Sequence, residues 1–489
     1  MLLDLLRLAA EQNPLETAVV EGNSATDYQS LQRKVAFLAT QLQAAGVRHG
    51  DRVALLFPNS LEFVTSFLAI VSLGAIAVPL NHQYQPLDII RILGSCAVSL
   101  LVTCAELASL CRQALTEYRE TCALFLVGDR GLPCGPETNP SDNLNISIDA
   151  DAPVMYLLSS GSTGAPKRIG RTHANLCFEL DSFIKALEVT QHDRILGVAP
   201  FSHVNGLTRS MMASMAAGAA LYPLAKFDRQ LVAETVEKQK ITIFIGVPFM
   251  FAVLAKSNFR RQPDFSSLRL CVSASAPLPA KLNREFHEKF GIYVRQLYGS
   301  TETGSISVDL GPDIERSLDS VGKPIAGVEV EIFTETGKPA QTDEIGEIAV
   351  KSPAAIKSYD GCEELNREAF KNNYFLTGDL GRRDQRGLLY LVGRKKLFIN
   401  KAGYKINPRE IEDWLKTYPK VEEAVVVGLP TSFGDETVKA VIVLNEECKE
   451  EEIIEHCRGK IADFKIPSLI EFRNELPTTP TGKVQREML

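Results

Sequence analysis

The sequence predicts an α/β fold: a large, multi-lobed N-terminal domain with mostly parallel sheets, followed by a small, mobile α+β domain. Short apolar runs alternate with helical segments over most of the 489 residues. This alternation is typical of parallel strands joined by helical crossovers. Hydrophobic residues make up 45% of the chain and charged residues 23%, as in globular proteins with an ample core.

The individual strands are predicted from apolar runs that end at turn or cap residues. Residues 53–57 form such a run, Asn59 or Ser60 can cap the helix that follows, and Gly74 can end it. Residues 76–80 form the next strand. Comparable runs occupy residues 100–103, 123–127, 154–158, 195–198, 241–247 and 268–273. Residues 131–141, rich in Pro, Gly, Asn and Asp, predict a loop.

The end of the chain predicts a separate domain. Asn407 and Pro408 start a helix as N-cap and first helical residue, two strand-like runs follow, and a polar helix covers residues 450–459. We therefore divide the chain into a large N-terminal domain, residues 1–393, and a small C-terminal domain, residues 394–489. A hinge is expected near residues 394–396.

Composition excludes several classes of function. The net charge of −7 argues against a broad nucleic-acid interface, which needs a basic face. The ten cysteines form no C-x-x-C pair, so we expect free thiols and a cytoplasmic location. The acid at Asp4 and the lack of an early basic segment argue against a signal peptide. The most apolar stretch, residues 67–80, is shorter than the ~20 residues that span a bilayer.

The strongest local signal is residues 159–167, Ser-Ser-Gly-Ser-Thr-Gly-Ala-Pro-Lys, directly after the strand at 154–158. Two glycines allow a tight turn with inward backbone N–H groups, and the hydroxyls and the lysine add donors. This composition predicts a polyphosphate-binding loop. It is not a Walker A sequence, and Ser/Gly-rich loops elsewhere are usually flexible surface segments.

Further short motifs follow at 200–206, 274–277, 298–303 (Tyr-Gly-Ser-Thr-Glu-Thr), 377–379 (Thr-Gly-Asp), 393–394 (Gly-Arg) and 480–483 (Pro-Thr-Gly-Lys). In this order they resemble the adenylate-forming (AMP-binding) enzyme superfamily over nearly the whole chain, and the pattern is closest to acyl-CoA synthetases. Arg168 departs from the pattern, because the family usually has glycine after the loop lysine.

The resemblance implies that Tyr298 stacks on adenine, Thr301 binds the α-phosphate and Glu302 holds Mg²⁺, a cation that prefers carboxylate and phosphate oxygens. It also implies that Asp379 and Arg394 contact the ribose. The complete nucleotide site implied in this way comprises Ser159, Ser160, Gly161, Ser162, Thr163, Gly164, Lys167, Ser275, Ala276, Pro277, Tyr298, Gly299, Asp379 and Arg394.

Lys483 is implied to be the catalytic lysine, delivered by the mobile C-terminal domain. Taken alone, a lysine on a terminal Pro/Gly loop is a solvated residue. In the family context its compact charge bridges the attacking carboxylate and the α-phosphate oxygens, where negative charge develops in the transition state.

The segment at 200–206 bears on the acid. Amino-acid-activating relatives carry an Asp where this chain has Ser202, so we expect an acid without an α-amino group, since an unpaired buried ammonium is costly. His203 is expected to gate or shape the acyl pocket, with a packing role as the alternative. Other candidate pocket residues are Gly206, Val247, Pro248, Ser273 and Ser300. Arg209 is expected to be solvated, and its pairing with a second substrate carboxylate is the alternative.

The expected reaction is activation of a small carboxylic acid with ATP and Mg²⁺, then transfer of the acyl group to CoA. Transfer to the phosphopantetheine of an acyl or peptidyl carrier protein is the alternative. The resemblance also implies that the loop at residues 400–404 forms part of a tunnel for the acceptor thiol. Basic residues around and before this loop fit either acceptor or a solvated face; they are Arg382, Arg383, Arg386, Lys395, Lys396, Lys401 and Lys405. Two other classes are alternatives. A nucleotide- and acyl-binding protein without catalysis is disfavoured by the intact Lys483, Glu302 and Asp379, whereas a luciferase-like oxygenase uses the same motifs.

Overall fold

The computed structural model describes residues 2–118, 121–128, 149–159, 167–395, 399–401, 404–430, 436–461, 463–479 and 483–489. The chain forms two compact units. Unit 1 comprises Met1–Glu331, Ala349–Leu376 and Asp384–Tyr390, and unit 2 comprises Ile332–Ile348, Thr377–Arg383 and Leu391–Leu489. The boundary expected between residues 393 and 394 stays a prediction.

The strands of the described chain are β1 (Thr17–Glu21), β2 (Ser24–Asp27), β3 (Arg52–Leu56), β4 (Ile76–Leu80), β5 (Leu100–Thr103), β6 (Ala123–Leu126), β7 (Pro153–Ser159), β8 (Lys167–Thr172), β9 (Arg194–Gly197), β10 (Ala220–Pro223), β11 (Ile243–Gly246), β12 (Leu270–Ser273), β13 (Val294–Ser300), β14 (Gly304–Val308), β15 (Lys323–Pro324), β16 (Glu329–Phe333), β17 (Gly346–Lys351), β18 (Phe370–Lys371), β19 (Tyr374–Arg383), β20 (Leu389–Arg394), β21 (Ile399–Lys401), β22 (Tyr404–Ile406), β23 (Val421–Pro430), β24 (Glu436–Leu444) and β25 (Leu469–Arg473). Strands β16, β17, β19 and β20 each pass from one unit into the other.

The helices of the same residues are α1 (Leu2–Gln12), α2 (Tyr28–Ala44), α3 (Leu61–Ser72), α4 (Pro86–Cys96), α5 (Ala108–Glu117), α6 (His173–Ala186), α7 (Ala213–Ala217), α8 (Arg229–Gln239), α9 (Pro248–Lys256), α10 (Ala280–Phe290), α11 (Glu363–Ala369), α12 (Pro408–Leu415) and α13 (Glu450–Cys457). A π-helical segment, Asn205–Met212, precedes α7. None of the described helices is long and apolar enough to cross a bilayer.

The first sheet of unit 1 has the order β6-β5-β3-β4-β7-β8. Its pairs are parallel except β7–β8, which is antiparallel. Residues Val53–Leu56 of β3 are fully buried, as expected for a strand covered on both faces. At the edge of the sheet, β7 and β8 pair as the two antiparallel strands that flank the predicted phosphate loop.

The second sheet of unit 1 has the order β15-β14-β13-β12-β11-β9-β10-β1-β2. Strands β9 to β13 are parallel, and the pairs at both edges are antiparallel. A cluster of aromatic rings, including Phe244, Phe251 and Phe286, fills the core on one side. Because parallel strands end at the same edge, the segments after β9, β11, β12 and β13 lie near one another. These segments carry residues predicted to line the acyl pocket and to bind the nucleotide.

Unit 2 contains a three-stranded sheet, β23-β24-β25, in which β23–β24 is antiparallel and β24–β25 is parallel. Helices α12 and α13 contribute Ile411, Leu415 and Ile453 to its core. Strands β21 and β22 pair as a separate antiparallel hairpin. This is the small α+β domain that the sequence predicts; its mobility stays a prediction.

The cap and strand predictions are confirmed at most positions. Ser60 caps α3 through the backbone N–H of Phe63 at 3.2 Å, and Asn407 caps α12 through that of Arg409 at 3.0 Å. The predicted strands at 76–80 and 100–103 have their predicted bounds, and the others shift by up to three residues. The predicted loop at 131–141 lies outside the described residues. The nine described cysteines are free, and Cys362 is exposed.

Candidate active site

The predicted phosphate loop joins the two strands of an antiparallel hairpin. Ser159 ends β7 and Lys167 starts β8, and the two residues are register partners. Ser160, Gly161, Ser162, Thr163 and Gly164 lie outside the described residues. A hairpin holds both ends of the loop to one register, so Lys167 has a fixed position beside it.

Arg168, the departure from the family motif, follows Lys167 on β8 and is the register partner of Leu158. Its guanidinium forms an ion pair with Asp360 at 3.2 Å, donates to the carbonyl of Ser95 at 3.3 Å and lies 4.9 Å from the ring centroid of Tyr156. These contacts attach the arginine to three neighbouring segments and indicate a structural role at the loop end of the hairpin.

Lys167 and Glu302 contact the same aromatic residue. The Nζ of Lys167 lies 5.4 Å from the ring centroid of the buried Tyr359, and the Tyr359 hydroxyl donates to Oε1 of Glu302 at 3.0 Å. A cation over an aromatic face is attracted to the ring quadrupole. Tyr359 thus places the loop lysine and the predicted magnesium ligand in one site, although they are far apart in sequence.

Glu302 fits the role expected for a magnesium ligand. The described residues contain no group of three or more His, Cys, Asp or Glu side chains able to hold a metal. Mg²⁺ bound with a nucleotide normally takes one or two carboxylates and completes its shell with water and phosphate oxygens. Glu302, whose carboxylate contacts the same Tyr359 as Lys167, can supply one such carboxylate.

The Tyr-Gly-Ser-Thr-Glu segment ends β13 and begins the tight turn that leads to β14. Ser300 and Thr303 are joined through their hydroxyls at 3.0 Å, and the backbone N–H of Thr303 donates to Ser300 Oγ at 3.2 Å. The Thr301 carbonyl accepts from Arg171 Nη1 at 3.0 Å, and the Glu302 carbonyl accepts from the Ile356 N–H at 2.8 Å. The backbone that carries Thr301 and Glu302 is therefore fixed from several directions. Tyr298, earlier in β13, is buried.

A buried ion network lies behind this segment. Arg171 and Glu179 form an ion pair at 2.7 Å, and both are at most 1% exposed. Ser305 Oγ lies 3.4 Å from Glu179 Oε1 and accepts from Arg209 Nε at 3.0 Å. Gly304 is required here, since a Cβ at this position would lie 2.7 Å from the Glu179 carboxyl group.

Arg209 is buried rather than solvated, which corrects our sequence-based expectation. It is 3% exposed on the π-helical segment, and its Nη2 has no hydrogen-bond partner among the described residues. Burial, only partly offset by Glu179, lowers the pKa of Arg209 to about 10. The guanidinium therefore stays charged at neutral pH.

The segment before the π-helix is held by Asn59. The Asn59 side chain donates to the carbonyls of Gly197 and Ala199 at 3.0 and 2.9 Å and accepts from the Phe201 N–H at 2.8 Å. A Cβ on Gly206 would overlap the carbonyl oxygens of Ala199 and Pro200, so only glycine permits this close approach.

Polar atoms without partners collect in the predicted acyl segments. His203 Nε2 and Ser202 Oγ, on the segment after β9, and Ser273 Oγ, at the end of β12, are shielded from solvent and have no hydrogen-bond partner in the described chain. Burial lowers the pKa of His203, so its imidazole is neutral near pH 7. Unpaired buried polar atoms are costly, and a ligand that pairs them recovers that cost. The methionines that follow, Met211, Met212 and Met215, are buried in the core.

The turn at residues 274–277, which carries Ser275, Ala276 and Pro277 of the predicted nucleotide site, follows β12. Ser275 adopts a φ of +74°, in the left-handed region that non-glycine residues rarely occupy. Ser275 and Ala276 are exposed and Pro277 is half-buried. Such strain persists where the surroundings impose it, and it is frequent at ligand sites.

Unit 2 brings the two predicted ribose residues together. Arg394 Nε donates to Asp379 Oδ1 at 2.7 Å, and Asp379 is buried whereas Arg394 is exposed. Thr377 Oγ1 donates to the Ile348 carbonyl at 2.9 Å and accepts from the Asp379 N–H at 3.1 Å. The Thr-Gly-Asp turn is thereby fixed.

Unit 2 also positions Lys483. Its carbonyl accepts from the Thr479 N–H at 2.8 Å, and its N–H donates to Thr479 Oγ1 at 3.2 Å. The pKa of Lys483 is lowered by desolvation and by the Arg394 guanidinium, while the Asp379 carboxylate raises it. Lys483, Arg394 and Asp379 are therefore close enough to interact electrostatically.

Three described members of the predicted basic patch are paired with acids. Lys395 binds Glu347 at 2.8 Å, Arg386 binds Asp384 at 2.9 Å, and Arg382 pairs with Asp343. Lys396 lies outside the described residues. These pairs reduce the positive charge that the patch offers to phosphates.

Our sequence analysis missed Tyr359, Arg171 and Glu179. Tyr359 belongs to none of the motifs we used. Glu179 carries a signal that could have been read, because it lies next to Leu180 and one helical turn from Leu176 and Phe183, on an apolar helix face. An acid in that position must be buried and paired.

Comparisons with known proteins agree with these motifs. The chain matches the family model described as AMP-binding enzyme over residues 6–360 and the model of the AMP-binding enzyme C-terminal domain over residues 410–483. A feruloyl-CoA synthase from Amycolatopsis sp. is 33% identical over 484 residues, with 97% of this chain and 95% of the relative covered.

Solved structures show the same fold. ATP-bound MatB from Rhodopseudomonas palustris has a TM-score of 0.88 and 28% identity, covering 99% of this chain and 97% of the other. The o-succinylbenzoate CoA synthetase MenE from Bacillus subtilis, solved with its acyl-adenylate intermediate, has a TM-score of 0.86 and 28% identity, with the same coverage.

Proposed function

Because the chain belongs to the family of AMP-binding enzymes, we propose that it is an AMP-forming acid–CoA ligase. It activates a carboxylic acid that lacks an α-amino group to an acyl-AMP and pyrophosphate, then transfers the acyl group to CoA. The observation that best supports this proposal is that Lys167, the lysine of the predicted phosphate loop, and Glu302, a carboxylate suited to Mg²⁺, both contact Tyr359.

In the first half-reaction a substrate carboxylate oxygen attacks the α-phosphorus of ATP, and pyrophosphate leaves. Lys167 neutralises phosphate charge from the hairpin, and Thr301 donates its hydroxyl to the α-phosphate. Mg²⁺ held by Glu302 supplies further charge neutralisation when bound. Lys483 stabilises the charge that develops on the carboxylate and α-phosphate oxygens. Fixed cations are effective here because they need no reorganisation as the charge builds.

In the second half-reaction the CoA thiol attacks the acyl-AMP carbonyl, and AMP leaves. Both the feruloyl-CoA synthase and MenE are named as enzymes that make CoA thioesters, which favours CoA over a carrier protein. The protein's task is to orient the thiol and to exclude water, an effect worth several orders of magnitude.

The exclusion of α-amino acids rests on Ser202. Its buried Oγ offers no charge to an ammonium group, and the neutral His203 beside it offers none either. Desolvating an ammonium without a partner costs several kcal/mol. We therefore expect proteinogenic amino acids to be rejected and the matching desamino acids to be accepted.

ATP–pyrophosphate exchange with a panel of acids tests the first step. An acid-dependent exchange is expected; a protein that binds ATP and acids without any exchange would support the non-catalytic alternative. Oxygen uptake or light emission with ATP and an acid would instead indicate the luciferase-like alternative.

Thioester yield with CoA, with pantetheine and with a set of holo carrier proteins tests the acceptor. CoA should be used best. Rapid loading of one carrier protein, with CoA no better than pantetheine, would replace CoA by the carrier as acceptor.

A further inference from the structure

We propose that the acid has a second anionic group, a carboxylate or a sulfonate, and that Arg209 binds it. The inference rests on the proposed acid activation and specifies its substrate class.

The first argument is the incomplete hydrogen bonding of Arg209. Its Nε donates to Ser305, its Nη1 lies at a long 3.5 Å from Asn205 Oδ1, and its Nη2 has no partner within the described residues. A guanidinium has five N–H donors in a fixed fork and matches an oxyanion in bidentate geometry. In Arg209 the two Nη groups therefore have donors available for a ligand oxyanion.

The second argument is charge. Arg171, Glu179 and Arg209 form one buried network with two positive charges and one negative charge. Glu179 is already engaged by Arg171 at 2.7 Å and reaches Arg209 through Ser305. A buried charge without a counter-ion is strongly destabilising. An anionic ligand group would balance the network.

The third argument is location. Arg209 lies on the π-helical segment just after His203, and its Nη2 would be 2.5 Å from a Cβ on Gly299, in the Tyr-Gly-Ser-Thr-Glu segment. π-helical turns are rare and frequent at functional sites. Gly299 therefore lets the guanidinium approach the segment that also carries Thr301 and Glu302.

The fourth argument is the polarity of the surrounding acyl segments. Ser202 Oγ, His203 Nε2 and Ser273 Oγ are shielded and unpaired, as is Nη2 of Arg209. A long aliphatic acid would leave all four atoms unpaired, whereas a short acid with a second anionic group can accept hydrogen bonds from them. This distribution favours a polar acid over a fatty acid.

The test is ATP–pyrophosphate exchange with matched pairs of acids that differ by one carboxylate. The pairs are propanoate and malonate, butanoate and succinate, hexanoate and adipate, and benzoate and the phthalates; 3-sulfopropanoate tests a sulfonate. In at least one pair the wild-type protein should prefer the dianionic acid by roughly 10²-fold or more in kcat/KM, because a site built for a polar group rejects the analogue without it.

Arg209→Met removes the charge and keeps much of the side-chain length. It should abolish the preference by lowering kcat/KM for the diacid alone, with KM for ATP unchanged. Arg209→Lys, which keeps a charge, should retain part of the preference. Arg284→Met, on the exposed face of α10, is the matched control and should behave as wild type.

Three outcomes would overturn the inference. Equal or better exchange with the monoacid in every pair would reject the second anionic group and leave acid activation standing, without any need for a folded variant. An equal loss for both members of a pair in Arg209→Met would assign the arginine a structural role. Exchange with no acid at all, in wild-type protein that binds ATP, would reject the proposed function itself.

Discussion

Lys483 is assigned to one half-reaction only. Its ammonium stabilises charge that develops as the carboxylate attacks phosphorus, whereas thiol attack on acyl-AMP occurs at a carbon atom. Lys483→Ala should therefore lower adenylation by about 10²–10³-fold, the range seen when one pre-placed electrostatic donor is removed. KM for ATP should change little, because the lost interaction is made mainly in the transition state.

Two assays on the same variant check this assignment. Pyrophosphate exchange reports adenylation, and thioester formation from supplied acyl-AMP and CoA reports transfer. Exchange at the wild-type rate would show that Lys483 is not the catalytic lysine, and a parallel loss in both assays would indicate a role in folding.

The environment of Lys483 also predicts a pH dependence. Its pKa lies below the ordinary 10.5, mainly because of desolvation and with a contribution from Arg394. Only the protonated ammonium stabilises the transition state, so adenylation is retained at low pH and lost as the pH rises through this lowered pKa. The alkaline limb of kcat/KM for ATP should therefore lie below pH 10.5.

Arg394→Gln removes a cation that lowers the pKa of Lys483. The alkaline limb of kcat/KM for ATP should therefore move to higher pH, in addition to any loss of ribose binding. The matched control is Arg386→Gln, in unit 1, where the arginine pairs with Asp384. A limb that stays in place in Arg394→Gln would show that it reports another group.

Among the elements, the π-helical segment depends on one glycine. Gly206→Ala would force a methyl group into the Ala199 and Pro200 carbonyl oxygens, and backbone atoms cannot yield as a flexible side chain can. We expect a loss of about 1–3 kcal/mol in unfolding free energy. The kcat/KM for the acid should fall with little effect on KM for ATP, because the segment carries His203 and Arg209.

Chemical denaturation and acid-dependent exchange measure the two effects. Gly128→Ala is the control, since no atom lies within 4 Å of a Cβ built there. If Gly206→Ala is as stable and as active as the wild type, the segment accommodates the methyl group without a loss of free energy. The close approach of Gly206 to the Ala199 and Pro200 carbonyl oxygens would then not be required for function.

Strands and helix caps were easier to predict from the sequence than contacts between residues that are far apart in the chain. The strand at 76–80 and the cap at Asn407 follow from short-range rules, because a buried strand and an N-cap each have local sequence requirements. The position of Tyr359 between Lys167 and Glu302 depends on three segments brought together by the fold, and no local pattern encodes that. Arg209 was mispredicted for the same reason, since its burial depends on β13 and β14.

At the scale of the molecule, the proposed reaction draws on residues in both units. Lys167, Thr301 and Glu302 belong to unit 1, and Asp379, Arg394 and Lys483 belong to unit 2. The sequence predicts a hinge at Lys396, which lies outside the described residues. Lys396→Pro fixes φ and should slow thioester formation far more than adenylation, because it restricts a change between two states.

The hinge is tested by measuring the rates of adenylation and of thioester formation separately. The control is Lys396→Ala, which removes the same side chain but keeps the backbone free to change its φ angle. A proline at another lysine such as Lys371 is a poorer control, because β18 pairs with β19 and the proline would disturb that pairing. If Lys396→Pro and Lys396→Ala behave alike, or if both half-reactions fall together in a folded protein, the hinge is not at this residue.

The discontinuity of unit 2 has a consequence for recombination. A single genetic crossover with a homologous gene near codon 393 would take Ile332–Ile348 and Thr377–Arg383 from one parent and the remainder of the unit from the other. The ion pairs Lys395–Glu347 and Arg394–Asp379 would then join residues of different ancestry. A chimaera should retain activity when both parents have these four residues. Residues 347 and 379 must therefore match the C-terminal segment of unit 2, although they precede the start of that segment at Leu391.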